Sequence, residues 1–161
     1  MTVEEYNTAV EAYADNLYRF VLKNLKDVHL SEDIVQETFE KLWMKLEAVS
    51  VLKVKTYLFT TAYHTMIDHI RKEKRYAGFD PREGMELSHS SQYSDLAELL
   101  EIAVGNLPED QKAVVMLRDY EGYPYSDIAE ITGLSETQVK VYIYRARVYL
   151  KNYIGSIEQV I

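Results

Sequence analysis

The segment that most constrains the fold is residues 125–147, where small, glycine and apolar residues occur at fixed offsets. Ala129 is small enough for a second helix to cross the first closely, and Gly133 can adopt the left-handed backbone conformation that a tight turn requires. Apolar side chains around them can close a small core between the helices: Ile128, Leu134 and Val139. This spacing predicts a helix-turn-helix, a module that can place its second helix in the major groove of DNA.

An ordinary helical hairpin with a glycine turn is the alternative for this segment. The second helix favours DNA binding, because it carries several basic residues and has no acidic residue between Thr137 and Tyr153. We expect its buried stripe at Val139, Ile143, Ala146 and Leu150. The outward face then combines positive charge with contact surface, which base recognition in the major groove requires.

The N-terminal part of the chain has helical periodicity. Apolar residues recur mostly every three or four positions, which predicts amphipathic helices within residues 3–25, 34–46 and 57–70. Thr2 and Glu5 have the spacing of a capping box at the start of the first helix. Ser31 is the expected N-cap of the second helix.

The composition changes between residues 77 and 94, where glycine, proline and serine accumulate and the apolar periodicity lapses. A connection of this length is uncommon inside a compact domain. We therefore predict an all-α protein with two small helical domains. They are an N-terminal three-helix domain at residues 1–76 and a C-terminal four-helix domain with the helix-turn-helix at residues 95–161, joined by a flexible linker at residues 77–94.

The composition also argues against several classes of function. The chain has no cysteine, and its histidines lack the spacing of metal ligands. Neither a catalytic triad nor a glycine-rich phosphate loop is recognisable. We therefore expect no enzymatic activity, no metal and no cofactor. The chain also lacks a secretory-signal pattern and a membrane-length apolar stretch, which predicts a cytoplasmic protein without membrane insertion.

The formal net charge of −8 argues against a protein that coats nucleic acid without selectivity. The positive charges are clustered, however, with Arg71, Lys72, Lys74 and Arg75 in one stretch and a second group in residues 140–151. Two basic patches on an acidic body suit a protein that touches DNA only at selected places. Two solvated helix faces explain the charge pattern equally well.

Further segments resemble a known family. Residues 33–43, DIVQETFEKLW, resemble the polymerase-binding helix of the extracytoplasmic-function (ECF) sigma factors of bacterial RNA polymerase. Residues 56–71 are similar to the next segment of that family, which melts and reads the −10 promoter element. Residues 107–111 and the helix-turn-helix resemble its fourth conserved region, which reads the −35 element. The motifs occur in family order and cover nearly the whole chain.

The resemblance implies a sigma factor that binds core RNA polymerase and directs promoter-specific transcription initiation by recognising both elements. It implies the clamp coiled coil of the largest polymerase subunit as partner of Asp33, Val35, Gln36, Glu37, Phe39 and Glu40. Promoter DNA is the second implied partner, and an anti-sigma factor is the third.

The DNA contacts that we expect fall into two groups. The recognition helix would meet the −35 element through Gln138, Lys140, Val141, Tyr144, Arg145 and Arg147. The −10 element would meet Lys53, Lys55, Tyr57, His64, Arg71, Lys72 and Arg75. The resemblance places a base-capturing loop at residues 48–56, and the rings of Tyr57 and Tyr63 are candidates for contact with bases.

The chain departs from the family pattern at several of these positions. His64 stands where relatives usually carry asparagine, and Tyr57 stands where tryptophan is common. Gln138 replaces a usual threonine and can pair with an adenine edge. Tyr142 replaces a usual arginine, which removes a phosphate contact and should weaken the intrinsic DNA affinity.

A conventional repressor or activator is the alternative interpretation of the helix-turn-helix, with the N-terminal helices as a dimerisation module. Such a regulator would bind its operator unaided and would not direct core polymerase to a promoter.

Overall fold

The structure, a computed structural model, describes residues 1–77 and 96–158. Within these ranges the regular structure is helical. The N-terminal half contains α1 (Val3–Leu25), α2 (Val28–Met44) and α3 (Val54–Ala77), with a 3-10 turn at Val51–Lys53 before α3. The C-terminal half contains α4 (Leu96–Gly105), α5 (Glu109–Val115), α6 (Tyr125–Thr132) and α7 (Glu136–Glu158).

The all-α prediction is confirmed, with three helices before the connection and four after it among the described residues. Apart from Ala77, the last residue of α3, the predicted linker lies outside those residues. In the same two ranges, no helix combines the length and the apolar character needed to cross a bilayer.

The start of α1 has the predicted capping box. The Thr2 hydroxyl accepts a hydrogen bond from the backbone N–H of Glu5 at 3.1 Å, and the Glu5 carboxylate accepts one from the backbone N–H of Thr2 at 2.9 Å. Backbone donors that the helix itself leaves without partners are satisfied in this way.

The start of α2 differs from the prediction. Its N-cap is Asp27, whose side chain accepts a hydrogen bond from the backbone N–H of Leu30 at 3.0 Å. Ser31, the expected cap, is fully buried, and its hydroxyl donates to the backbone carbonyl of Asp27 at 2.6 Å. Both side chains can cap a helix, and Ser31 lies one turn inside α2 because it packs into the core.

The packing of the two halves centres on α3, which contacts α1, α2 and α6. The ring of Phe59 lies edge to face with Phe20 of α1 at 5.6 Å and with Tyr123, just before α6, at 5.5 Å between centroids. Buried residues from both halves consequently form one hydrophobic cluster. The two helical units pack directly on each other.

The end of α5 is irregular. The helix continues into a π-helical turn at Met116–Tyr120, where the backbone N–H of Glu121 donates to the carbonyl of Met116 at 3.1 Å. Gly122 then reverses the chain with φ of 73°. A π turn inserts an extra residue per turn and changes the direction of the side chains that follow it.

The helix-turn-helix is formed by α6, the turn at Gly133 and α7. Gly133 has φ of 78°, and its backbone N–H donates to the carbonyl of Ala129 at 2.9 Å. Ile128 and Val139 are fully buried between the helices, and Leu134 is half-buried beside them. The turn predicted at Gly133 and the small core predicted at Ile128, Leu134 and Val139 are therefore confirmed.

We expect Gly133→Ala to lower the free energy of unfolding by about 1–2 kcal/mol, because a side chain disfavours the left-handed conformation. A Cβ atom at Gly133 would meet nothing within 4 Å, so the cost comes from the backbone alone. Gly155→Ala is the matched control, since it also meets open space but lies in the helical backbone of α7. This control should raise the stability by about 0.5–1 kcal/mol. Urea denaturation followed by circular dichroism measures both, and shifts of the same sign would contradict the explanation.

Candidate nucleic-acid interface

The outer face of α7 carries the residues expected to meet the −35 element. Val139, Ile143 and Ala146 are buried, which fixes the orientation of the helix. All the predicted contact residues on α7 are exposed: Gln138, Lys140, Val141, Tyr144, Arg145 and Arg147. Tyr144 is 70% exposed, so most of its ring is available to a ligand.

The N-terminus of α7 is closed by a second capping box. The Ser135 hydroxyl accepts a hydrogen bond from the backbone N–H of Gln138 at 3.1 Å, and the Gln138 side-chain oxygen accepts one from the backbone N–H of Ser135 at 2.9 Å. Pairing with an adenine edge uses both the oxygen and the nitrogen of the amide. Gln138 can therefore pair in this way only if its oxygen leaves the capping box.

Tyr125, at the start of α6, has two cations near its ring. The guanidinium carbon of Arg118 lies 4.5 Å and the ammonium of Lys140 5.7 Å from the ring centroid. Arg118 also donates to the backbone carbonyl of Tyr123 at 3.0 Å. Neither Arg118 nor Tyr125 was predicted from the sequence, because only the folded chain brings the π turn, α6 and α7 together.

Arg147 is already engaged within the C-terminal half. Its guanidinium donates to the Asp119 carboxylate at 2.7 Å, and both side chains remain partly exposed. A phosphate that binds Arg147 must therefore share this guanidinium with Asp119 or displace the carboxylate.

A groove with a volume of about 570 Å³ lies between α2 and α3. Tyr57 and His64, both predicted to contact the −10 element, line it together with Asp68 from the same helix. Lys41 of α2 and Lys45, the C-cap of that helix, also line it, and neither was predicted from the sequence. Their spacing of four residues on one helix was the available signal, but nothing in the sequence placed them opposite Tyr57 and His64.

The other residues predicted for the −10 element are dispersed. The exposed ones lie in the 3-10 turn and in the last part of α3: Lys53, Arg71, Lys72 and Arg75. Lys55 lies in the first turn of α3 and is half-buried, with its ammonium 4.7 Å from the ring centroid of Tyr123. Residues 48–56, which were predicted to form a loop, therefore include the 3-10 turn and the first residues of α3.

Tyr63 does not have the exposed ring that contact with bases requires. It is only 5% exposed, and this burial raises its pKa to about 12. The expectation for Tyr63 is therefore wrong: its ring is part of the core, and only His64, whose ring centroid lies 5.4 Å from that of Tyr63, is exposed beside it.

The residues predicted to bind polymerase form a polar ridge on α2. Asp33, Gln36 and Glu40 are exposed, and the partly exposed Glu37 pairs with Lys41 at 3.4 Å. Val35 is half-buried at the edge of this ridge.

Phe39 lies on the inner side of α2. It is 8% exposed, its ring meets Tyr6 of α1 edge to face at 6.4 Å, and its backbone carbonyl accepts a hydrogen bond from the Tyr6 hydroxyl at 3.1 Å. Phe39 was predicted to contact polymerase at the surface, and this prediction is corrected. Its side chain is buried beneath the ridge, where it packs α2 onto α1.

Models of known protein families match both halves of the chain. The family model for sigma-70 region 2 matches residues 9–76, and the model for sigma-70, region 4 matches residues 97–150.

Curated proteins of Bacillus subtilis (strain 168) are similar along most of the chain. The ECF RNA polymerase sigma factor SigM is 30% identical over 156 residues, which cover 94% of this chain and 94% of SigM. The RNA polymerase sigma factor SigV is 30% identical over 142 residues, which cover 86% of this chain and 84% of SigV.

A solved structure is also similar along both halves. It contains the sigma factor RpoE in complex with the anti-sigma factor NepR from Bartonella quintana. The TM-score is 0.78 at 26% sequence identity, and the match covers 95% of this chain and 98% of the other.

The capping box at α7 predicts opposite outcomes for two substitutions of one residue. Gln138→Ala removes the side-chain acceptor and should lower the free energy of unfolding by about 0.3–1.5 kcal/mol. Gln138→Glu keeps an acceptor and adds a negative charge near the helix N-terminus, so the stability should be retained. Thermal denaturation followed by circular dichroism compares the two variants, and equal stabilities would contradict the role of Gln138 as a cap.

Proposed function

The chain belongs to the extracytoplasmic-function sigma factors of the sigma-70 family, which direct bacterial RNA polymerase to promoters, and we propose that three of its surfaces divide this task. The outer face of α7 reads the −35 element, the groove between α2 and α3 receives the −10 element, and the ridge on α2 binds core polymerase. The protein itself catalyses no reaction, because a sigma factor supplies recognition and the polymerase supplies the chemistry.

The agreement between family match and surface chemistry supports this division. The sigma-70 region 2 match includes both the ridge and the groove, and the region 4 match includes the helix-turn-helix. Each matched part thus contains at least one exposed surface that can bind a partner. The repressor alternative does not account for the region 2 match in the N-terminal half.

In our proposal, α7 enters the major groove of the −35 element with Arg145 at the centre of its exposed face. Arginine can donate two hydrogen bonds to the edge of a guanine, which makes it the commonest reader of that base. Lys140 and Tyr144 flank it on the same face, and Lys140 lies beside the ring of Tyr125. Arg118 and Lys140 can supply phosphate contacts that partly replace the one lost with Tyr142.

The −10 element meets the groove as a separated strand in our proposal. The ring of Tyr57 offers a surface for an unstacked base, and the His64 imidazole can donate or accept one hydrogen bond beside it. Exposed cations hold the phosphates on either side: Lys53, Arg71, Lys72 and Arg75. Imidazole and amide groups differ in shape, so His64 should change which base this site prefers relative to sigma factors with asparagine there.

The ridge on α2 is the proposed contact with the clamp coiled coil of the largest polymerase subunit. Asp33 and Glu37 are one helical turn apart, with Gln36 and Glu40 beside them. An acidic surface of this kind fits a basic partner surface and accelerates association with it. The protein would act in the bacterial cytoplasm, where the polymerase transcribes.

An anti-sigma factor is the proposed inhibitor of this chain. The solved relative with the same overall fold is bound to such a protein. Exposed apolar side chains along α7 offer a surface for it: Val141, Tyr144, Val148 and Tyr149. A partner on this surface would cover the face that we assign to the −35 element.

Arg145→Ala should weaken binding to a duplex with the −35 element by about 1–3 kcal/mol, because one base contact is lost. Lys151→Ala is the control, since it removes the same charge from an exposed position farther along α7. Fluorescence anisotropy with a specific and a scrambled duplex measures both variants. If Arg145→Ala and Lys151→Ala lose the same affinity on both duplexes, Arg145 makes no base contact.

Run-off transcription with core polymerase tests the proposed function as a whole. The wild-type protein should convert core enzyme, which cannot select promoters, into an enzyme that starts at defined sites on a library of genomic fragments. The double substitution Asp33→Lys with Glu37→Lys should abolish these transcripts and the co-purification with core polymerase, while helical content stays unchanged.

The matched control for the ridge is Glu11→Lys with Asp15→Lys, which reverses two exposed acids at the same spacing on α1. This control should retain both transcription and co-purification. Normal co-purification of the Asp33 and Glu37 variant would remove the ridge from the mechanism. A wild-type protein that binds a promoter fragment but never directs core polymerase would overturn the proposed function.

A further inference from the structure

The two arginines near the middle of α7 lie on different sides of the helix. Arg147 follows the buried Ile143 by four positions, so both side chains leave the helix on nearly the same side. Arg145 lies two positions from each of them and therefore points away from the core. If the outer face with Arg145 meets DNA, Arg147 lies on the inner edge of α7, next to the rest of the C-terminal half.

The inner edge of α7 is held by charged and aromatic groups of the same half. The Arg147 guanidinium donates to the Asp119 carboxylate at 2.7 Å, and the Lys140 ammonium lies 5.7 Å from the ring centroid of Tyr125. Lys140 precedes Ile143 by three positions and so shares this edge with Arg147. A charge-assisted hydrogen bond of this length is stronger than one between neutral groups. Arg147 is therefore bound to its own chain before DNA arrives.

Asp119 reaches α7 from the π turn at Met116–Tyr120, a kind of turn that changes the direction of side chains and often occurs at functional sites. The preceding Arg118 is bound at the same time. It donates to the backbone carbonyl of Tyr123 at 3.0 Å, and its guanidinium carbon lies 4.5 Å from the ring centroid of Tyr125. Two consecutive residues of the π turn thus contact the two helices of the helix-turn-helix, Arg118 at the start of α6 and Asp119 on α7. The turn holds α7 relative to α6 from outside their shared core.

The contribution of this ion pair to folding is small, which points to another role. The side chains of Arg147 and Asp119 are 50% and 40% exposed, and ion pairs with such exposure add little to the free energy of unfolding. Recognition depends more sharply on geometry, because a binding group must lie within about 0.5 Å and 10–20° of its productive position. A small rotation of α7 would therefore cost base contacts at Arg145 and leave the fold intact.

We propose that Asp119 is a positioning residue for promoter recognition: by binding Arg147 it holds the inner edge of α7, so that the outer face with Arg145 meets the bases of the −35 element. Arg147 serves this purpose instead of contacting DNA. This role rests on our assignment of the outer face of α7 to the −35 element, and it adds to that face a residue outside the recognition helix.

Removal of an acid and loss of a positioning residue have different effects on DNA binding. If Asp119 acted through its charge alone, Asp119→Ala would reduce the repulsion of phosphates and strengthen binding to every duplex alike. As a positioning residue, its loss should lower the ratio of the affinities for a −35 duplex and a scrambled duplex about two- to fivefold. The pair can bias the position of α7 by no more than its own free energy, which sets this range.

Fluorescence anisotropy measures both affinities, with the −35 duplex taken from a promoter that the run-off assay returns. Glu130→Ala is the matched control, since it removes an exposed acid from α6 of the same helix-turn-helix. This control should leave the affinity ratio unchanged. Circular dichroism checks that both variants keep the helical content of the wild-type protein.

Arg147→Ala separates a positioning role from a phosphate contact. Loss of a phosphate contact weakens binding to both duplexes alike and reduces the slope of log affinity against log salt concentration by about 0.9. In our proposal the slope is retained, and the affinity ratio falls as it does in Asp119→Ala. The double substitution Asp119→Ala with Arg147→Ala should lower the ratio no further than either single substitution, because both act through one contact.

The free protein gives a readout that requires no DNA. The bond to Asp119 should hinder rotation of the Arg147 guanidinium group, so its Nη protons should give separate NMR signals that merge in Asp119→Ala. An unchanged affinity ratio in Asp119→Ala, independent losses that multiply in the double variant, or a reduced salt slope in Arg147→Ala would overturn the positioning role. A wild-type protein that shows these separate signals but does not distinguish the two duplexes would instead overturn the proposed function of α7.

Discussion

The contact of Phe59 with Phe20 and Tyr123 is the interaction on which the whole arrangement depends. It joins α1 and α3 to the helix-turn-helix unit through one run of edge-to-face rings. Because Phe59 is buried on one side of α3, Tyr57 and His64 of the same helix face the groove on another side. Phe59 is buried and contacts neither DNA nor polymerase in our proposal, but its packing determines where the proposed binding surfaces lie.

The acidic composition and the DNA-binding role are reconciled by local pairing. The chain has a net charge of −8, and several cations at the candidate surfaces contact carboxylates of the same chain. Lys41 pairs with Glu37, Lys74 with Glu109, and Arg147 with Asp119. On the surfaces that we propose for DNA, phosphates would compete with these carboxylates, which would weaken non-specific binding. Core polymerase can supply the missing affinity by holding both surfaces on one promoter.

Features with a local physical cause were predictable from the sequence. The capping box at Thr2 and Glu5, the left-handed turn at Gly133 and the exposed face of α7 depend on residues close together in the chain. Each follows from backbone geometry or from the period of an amphipathic helix. The fold class was correct because these local signals agree with one another along most of the chain.

Features that depend on tertiary packing were not predictable in this way. Asp27 and Ser31 are equally good caps, and only the burial of Ser31 decides between them. An exposed ring was predicted for Tyr63, because the sequence pattern of one helix does not show which of its faces packs against the C-terminal half. The same limitation concealed Asn24 and Lys112, polar residues that are buried only because the two halves meet.

The capping role of Gln138 has a consequence for the base contact that we predict there, because a substitution chosen to change base preference would also alter how firmly α7 begins. Side chains that can still accept a hydrogen bond would keep the cap. Val141 and Tyr144 lie on the same exposed face of α7 outside the capping box, so their substitution would change that face and leave the start of the helix intact.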